Sequence, residues 1–410
     1  MAFSDSHAEG TPKAYGSPRS LADIIADGVF LAAEQDIAFG EAMGHITHVE
    51  YNFRSARGTV NAEGAEDTMA ATESADTPAG PEQDMPVDVR ITSSTGTHDI
   101  LGHRIAVITD NEWTWATVAT LGLNVPELQT PQPYSPALIR AARTLVSGRP
   151  VVIAQQGASA SDLAAVSLDF HGTGVPSHRA IVQGLSEIPL DTDEERALAA
   201  YAVTGPNADA AVESVTLNTG YISRIGTNGL SLEQVTADAH YRAAEQQLFV
   251  TGRYPGLKAH VDLASGRTQV VSGAGSYTAN AHVIATVTDD VWTWAWADPG
   301  LKDAGAQRAA FNLRRFGADN GIGAFLRPQM PADVARELRL AQAAMPVLQV
   351  WTLQAVTLSA STLGLVLLDA PELALPPLSD AARAATLRVS LPAGIDGNRA
   401  RAAYEALRRG

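Results

Sequence analysis

The chain has 410 residues, 45% of them apolar, a formal charge of −16 and no cysteine. That is enough apolar material for two or three domains, and it excludes disulfides, thiolate metal sites and cysteine nucleophiles. An acidic surface repels phosphate backbones and anionic headgroups, so neither nucleic acid nor a membrane surface is an expected partner.

Residues 1–20 contain no apolar run and read as a disordered tail rather than a secretory signal, which makes the cytoplasm the expected location. Ser20 then caps an amphipathic helix carrying Leu21, Ile24, Ile25 and Leu31. Strands follow, interrupted by Asn61–Pro86, which has seven acids, no base and almost no large apolar side chain. Such a segment cannot bury enough to order itself and is expected to be a disordered acidic loop. Asp110-Asn111 reads as a two-residue hairpin turn, because Asp and Asn tolerate the left-handed backbone. Thr192 and Glu195 are placed to cap a closing helix that ends near Gly205.

The second half repeats this order. Gly102–Ala116 (GHRIAVITDNEWTWA) laid over Ala281–Ala295 (AHVIATVTDDVWTWA) gives nine identities in fifteen, both tryptophans included. The match extends upstream, where Ala32-Ala33-Glu34-Gln35 corresponds to Ala243-Ala244-Glu245-Gln246, and downstream, where Arg196–Tyr201 corresponds to Arg399–Tyr404. The chain therefore reads as two tandem modules, 21–205 and 229–410, joined by a linker over 206–228. Each is a helix–antiparallel sheet–helix unit, so the fold class is α+β with a pseudo-two-fold arrangement.

In the second module Ser231 and Gln234 form a capping box. Strands are expected at Ala259–Leu263, Thr268–Val271, Ala281–Thr288 and Val291–Ala297, with Asp289-Asp290 as the turn. A helix over Ala304–Phe316 has no counterpart in the first module. Leu340–Leu368 lacks any charge but contains Pro346 and three glutamines, and reads as a helix end followed by two buried strands rather than a membrane span.

Alternation places Trp292, Trp294 and Trp296 on one face of a strand, opposite Val287, Ala285 and Val283, with His282, Thr286 and Thr293 on the other. A uniformly apolar face of this kind reads as a packed core face, the alternative being an aromatic platform for a ligand. Trp296 and the Asp298-Pro299-Gly300 turn have no match in the first module, where Thr117 follows the shared hairpin. Any ligand site is therefore expected in the second module at Trp296, Asp298 and His282. His45 and His48 have a spacing seen in metal sites but no nearby carboxylate set. No phosphate loop, nucleophile elbow or HExxH motif occurs.

Gln247-Leu248, Gly275-Ser276-Tyr277, Trp292–Pro299 and Arg314–Ile322 together resemble an actinobacterial family known as domain of unknown function 6882. Asp298 stands where that family carries Asn. The resemblance implies no activity.

The favoured expectation is a non-catalytic soluble protein that binds a protein or peptide, chaperone-like or regulatory, as a monomer in which the two modules replace a dimer. The alternative is a small-molecule enzyme or ligand-binding protein with a pocket near Trp296. No catalytic residue, metal or cofactor is expected.

Overall fold

The computed structural model describes residues 16–54, 85–116, 122–156, 159, 161–205 and 208–409. The chain divides into two units, 1–184 with 191–213 and 185–190 with 214–410. The expected acidic loop Asn61–Pro86 lies outside the described residues except for its last two. Met85 is buried and Pro86 pairs with His103 inside a strand. Residues 1–15 of the expected tail also lie outside.

Unit 1 opens with α1 (Leu21–Met43), where the Ser20 hydroxyl accepts from the Asp23 N–H. There follow β1 (Ile46–Phe53), β2 (Pro86–Ser93), β3 (Gly96–Thr109), β4 (Glu112–Trp115), β5 (Gln132–Pro133), α2 (Pro136–Leu145), β6 (Val151–Gln155), β7 (Leu163–Leu168), α3 (Ser177–Leu185), α4 (Glu194–Thr204) and α5 (Asp209–Glu213). The cap of α4 is Asp193, which accepts from the Arg196 N–H, one residue beyond the expected Thr192.

Unit 2 begins inside the stretch expected to be a linker, with a hairpin of β8 (Val215–Asn218) and β9 (Tyr221–Ile225). It continues through α6 (Leu232–Arg253), β10 (Lys258–Asp262), β11 (Arg267–Ser272), β12 (Gly275–Thr288), β13 (Val291–Trp294), α7 (Ala310–Asn320), α8 (Gly323–Leu326), β14 (Gln329–Pro331), α9 (Ala332–Glu337), α10 (Leu340–Leu348), β15 (Thr352–Thr357), β16 (Thr362–Asp369), α11 (Asp380–Thr386) and α12 (Gly397–Arg409). The capping box of Ser231 and Gln234 is present at α6. The charge-free stretch from Leu340 forms α10, β15 and β16, and no helix among the described residues is long and apolar enough to cross a membrane.

Both large sheets are antiparallel and have the same strand order. One runs β1-β2-β3-β4-β5 with β7 on β3 and β6 on β7; the other runs β10-β11-β12-β13-β14 with β16 on β12 and β15 on β16. Helices pack on these sheets, giving an α+β fold. The turns Asp110-Asn111 and Asp289-Asp290 have positive φ at all four residues, as a tight hairpin requires. Trp292 faces Val287 and Trp294 faces Ala285, in the expected register.

The expected faces change where the long strand bulges. Val283 pairs with Val366 but Ala285 pairs with Leu365, so Ile284 is an extra residue. Unit 1 has the same bulge at Ile105, between Arg104 and Ala106. An extra residue inverts the alternation beyond it. His282, opposite Leu367, thus shares the tryptophan face, while Thr286, opposite Gly364, lies on the other. β13 also stops at Trp294, and Trp296 lies in the turn that follows, not opposite Val283.

In each unit the first helix is tied to the closing helix by matching polar pairs. Arg196 grips Asp27 through two bonds of 2.6 and 2.7 Å, and Arg399 grips Asp238 through bonds of 2.8 and 2.6 Å. Seven residues on from each aspartate lies a buried glutamate. Glu245 forms an ion pair with Arg408 at 3.0 Å. Its counterpart Glu34 accepts from the Tyr201 hydroxyl, and its other oxygen is buried without a partner. Where Arg408 stands in unit 2, unit 1 has Gly205, whose Cβ position is already filled by the Tyr201 ring at 2.5 Å.

Two outcomes test this packing. Trp294→Ala removes a fully buried indole and should cost about 3–5 kcal/mol in denaturant unfolding, the range for large aromatic truncations. Burial pushes the Glu34 carboxyl above its usual range, against the pull of the Tyr201 hydroxyl. A raised folded value stabilises while the carboxyl is protonated, and that contribution is lost as pH rises from the ordinary carboxyl range through the raised value. Glu34→Gln should therefore flatten the pH dependence of the melting temperature across that window, gaining on the wild type toward its upper end. An identical pH slope in both proteins would contradict this.

Candidate functional site

The three residues expected to form a ligand site do not meet. Trp296 and Asp298 line an open cleft of about 590 Å³ together with Lys302, Arg308 and Phe311, but His282 is not part of it. His282 lies beside Asp369 on the edge of β12 facing β16, and burial pushes its imidazole below the usual range while that carboxylate opposes the shift. Asp298 is held in place by its surroundings. One carboxylate oxygen accepts the Gly300 N–H at 2.8 Å, capping the short turn at Pro299–Leu301, and the other accepts the buried Thr286 hydroxyl. The Trp296 ring is largely buried, with the Arg314 guanidinium 4.9 Å from its centroid.

A second cleft in unit 2, of about 580 Å³, is built where sequence reasoning placed only a linker. One wall is the β8–β9 hairpin. Thr219-Gly220 turns it, both at positive φ, and Ile222 and Ile225 bury its inner side. The hairpin sits very close to the segment between α7 and α8. Ile225 donates its N–H to the Gly321 carbonyl, and Arg224 bridges to Ile322. A Cβ on Gly321 would lie 1.9 Å from the Ile225 oxygen, and one on Gly323 would lie 2.0 Å from the Ile222 oxygen. Only glycine permits this approach.

The floor and far wall come from the start of α6 and from the stretch running through α8 and α9. Leu232, Ile322, Ala324, Val334 and Leu338 supply apolar surface. The Trp294 indole N–H donates to the Ala324 carbonyl at 2.9 Å and ties the floor to the sheet core. Arg327 is nearly fully buried, with its guanidinium 4.7 Å from the Tyr221 ring centroid and reaching toward the Ile222 carbonyl. Arg224 donates to the carbonyls of Gly226, Thr227 and Gly229, which fixes the loop entering α6. Both arginines are thus engaged by the scaffold. Glu233 and Glu337, in contrast, stand exposed at the rim without an ion-pair partner among the described residues.

β8 pairs only with β9 among the described strands, and its Thr216 and Asn218 line the cleft together with Tyr221, Ile222 and Ser223 of β9. The signal for this hairpin is present in the sequence as apolar alternation around Asn-Thr-Gly. The signal for the cleft is not, because Tyr221, Glu233, Arg327 and Glu337 come from four separate elements. Among the described residues no group of three or more His, Asp and Glu side chains is placed to hold a metal ion; His48 instead lies 3.3 Å from Glu50 on the exposed face of β1.

The model of a family of unknown function (DUF6882) matches residues 233–371, 139 of the 410. This supports the resemblance for the C-terminal region. The matched stretch contains the Trp296 cleft and the helical wall of the hairpin cleft, but not β8 and β9. No curated protein and no solved structure matches the chain.

The structural role of Asp298 has a direct check. Asp298→Ala leaves the Thr286 hydroxyl and the Gly300 N–H without their acceptor and should cost about 1–3 kcal/mol in denaturant unfolding. Asp298→Asn, which can still accept from Gly300 and donate to Thr286, should recover part of that loss.

Proposed function

We propose that the protein is a non-catalytic polypeptide-binding protein and that unit 2 takes an extended segment in the hairpin cleft. One observation carries this reading: a strand with a single neighbour among the described strands lines a trough whose buried residues are mostly apolar and whose exposed ones are polar. An extended peptide gains main-chain bonds from such a strand and seats alternate side chains in the trough. The equal strand orders, the equal spacing of Asp27 to Glu34 and Asp238 to Glu245, and that of Arg196 to Tyr201 and Arg399 to Tyr404, support a tandem duplication. The hairpin wall lies before the second copy, so binding is assigned to what was added to the shared scaffold. A monomer suffices, since every lining residue comes from one unit.

A small-molecule pocket at Trp296 is the second reading. The cleft of about 590 Å³ favours it. The burial of the indole and the engagement of both Asp298 oxygens weigh against it.

Panning a displayed library of random peptides on the full chain tests the choice. Enriched peptides should bind the wild type and lose at least about tenfold in affinity to Val334→Arg, which fills the trough from α9, while Phe311→Ser in the Trp296 cleft leaves them unaffected. An empty selection, or binding that ignores Val334→Arg, would sink the polypeptide reading.

A further inference from the structure

From the charges around the hairpin cleft we infer its specificity: it selects a segment bearing a lysine or arginine next to an aliphatic side chain. The inference rests on the polypeptide reading above and adds the chemical class of the ligand. Four charged side chains line the cleft, two of each sign. The two cations are spent on the protein itself. Arg224 is bound to three loop carbonyls, and Arg327 is buried beneath Tyr221 with its charge directed at main chain and ring. The two anions remain at the mouth. Glu233 lies in the first turn of α6, and Glu337 is the last residue of α9. An acid at a helix C-terminus faces the negative end of the peptide dipoles, an unfavourable position that an incoming cation relieves. Arg336 and Arg339 flank Glu337 in sequence but do not line the cleft.

A ligand entering this trough therefore meets two carboxylates without ion-pair partners among the described residues, of which only Glu233 has the support of a helix N-terminus. Below them lies aliphatic surface from Ile322, Val334 and Leu338. An acidic segment would be repelled at the mouth, and a purely apolar one would leave both carboxylates facing its backbone. A basic side chain reaches the carboxylates with its charged end while its methylene stem and an apolar neighbour cover the floor. Thr216 and Asn218 on the hairpin supply neutral hydrogen-bonding side chains that fit the backbone of such a segment without adding charge.

The test is a positional-scanning library of acetylated, amidated hexapeptides, read by fluorescence polarisation against the full chain. The expected result is selection of Lys or Arg at one position beside an aliphatic residue. Affinity should fall roughly three- to tenfold with Glu337→Gln, less with Glu233→Gln, and should weaken as salt is raised. Glu337→Lys should reverse the preference toward acidic hexapeptides, and circular dichroism should show each variant folded as the wild type. Hexapeptides that bind with no preference for a basic residue, or whose affinity is the same in both glutamine variants, would overturn the charge inference and leave the polypeptide reading standing. A library with no binder at all would overturn both.

Discussion

A buried indole N–H needs an acceptor, and the one that Trp294 finds is the carbonyl of Ala324. Of the five tryptophans in and beside the two hairpins, Trp113, Trp115, Trp292 and Trp296 have buried ring nitrogens with no hydrogen-bond partner. The Trp294 bond therefore does more than fill a core. It fixes α8 against the sheet at one height, and α8 is the shelf on which the β8–β9 hairpin rests through Gly321, Ile322 and Gly323. Sheet core, shelf and hairpin form a chain of contacts in which each seat depends on the one beneath it.

Much of this scaffold was legible in the sequence because it is written in local chemistry. Asp and Asn turn residues, which tolerate positive φ, marked both hairpins and their register, and a serine followed three residues later by glutamine marked the start of α6. What escaped depends on events without local signature. Nothing in Ala281–Thr288 distinguishes a regular strand from one that carries an extra residue at Ile284, yet that residue moves His282 to the opposite face from Thr286. The alternation of Trp292, Trp294 and Trp296 suggested a strand running on to Ala297, and the chain instead turns after Trp294. The candidate cleft was the least legible part, since its lining comes from two stretches, 216–233 and 322–338, that are far apart in sequence.

The paired helices show which interactions the two units hold in common. Asp27 with Arg196 and Asp238 with Arg399 occupy the same relative places and use the same two-pronged geometry. Each pair is largely screened from solvent, where a bidentate arginine fixes orientation as well as adding attraction. The glutamates two turns further along differ in their surroundings. Glu245 is paired with Arg408, whereas the space beside Glu34 is taken by the Tyr201 ring packed on Gly205. The frame is thus constant where it sets the angle between helices and variable where it only neutralises a charge.

The two glycines under the hairpin define the cleft by an absence. With carbonyl oxygens of Ile222 and Ile225 occupying the space where side chains would begin, the depth of the trough is a matter of mechanical clearance. Neither glycine belongs to the large sheet, so the tolerance they set is independent of its stability. A single added methyl at either place would occupy the seat of a hairpin carbonyl, so the hairpin would have to move off its support and one wall of the recess would move with it.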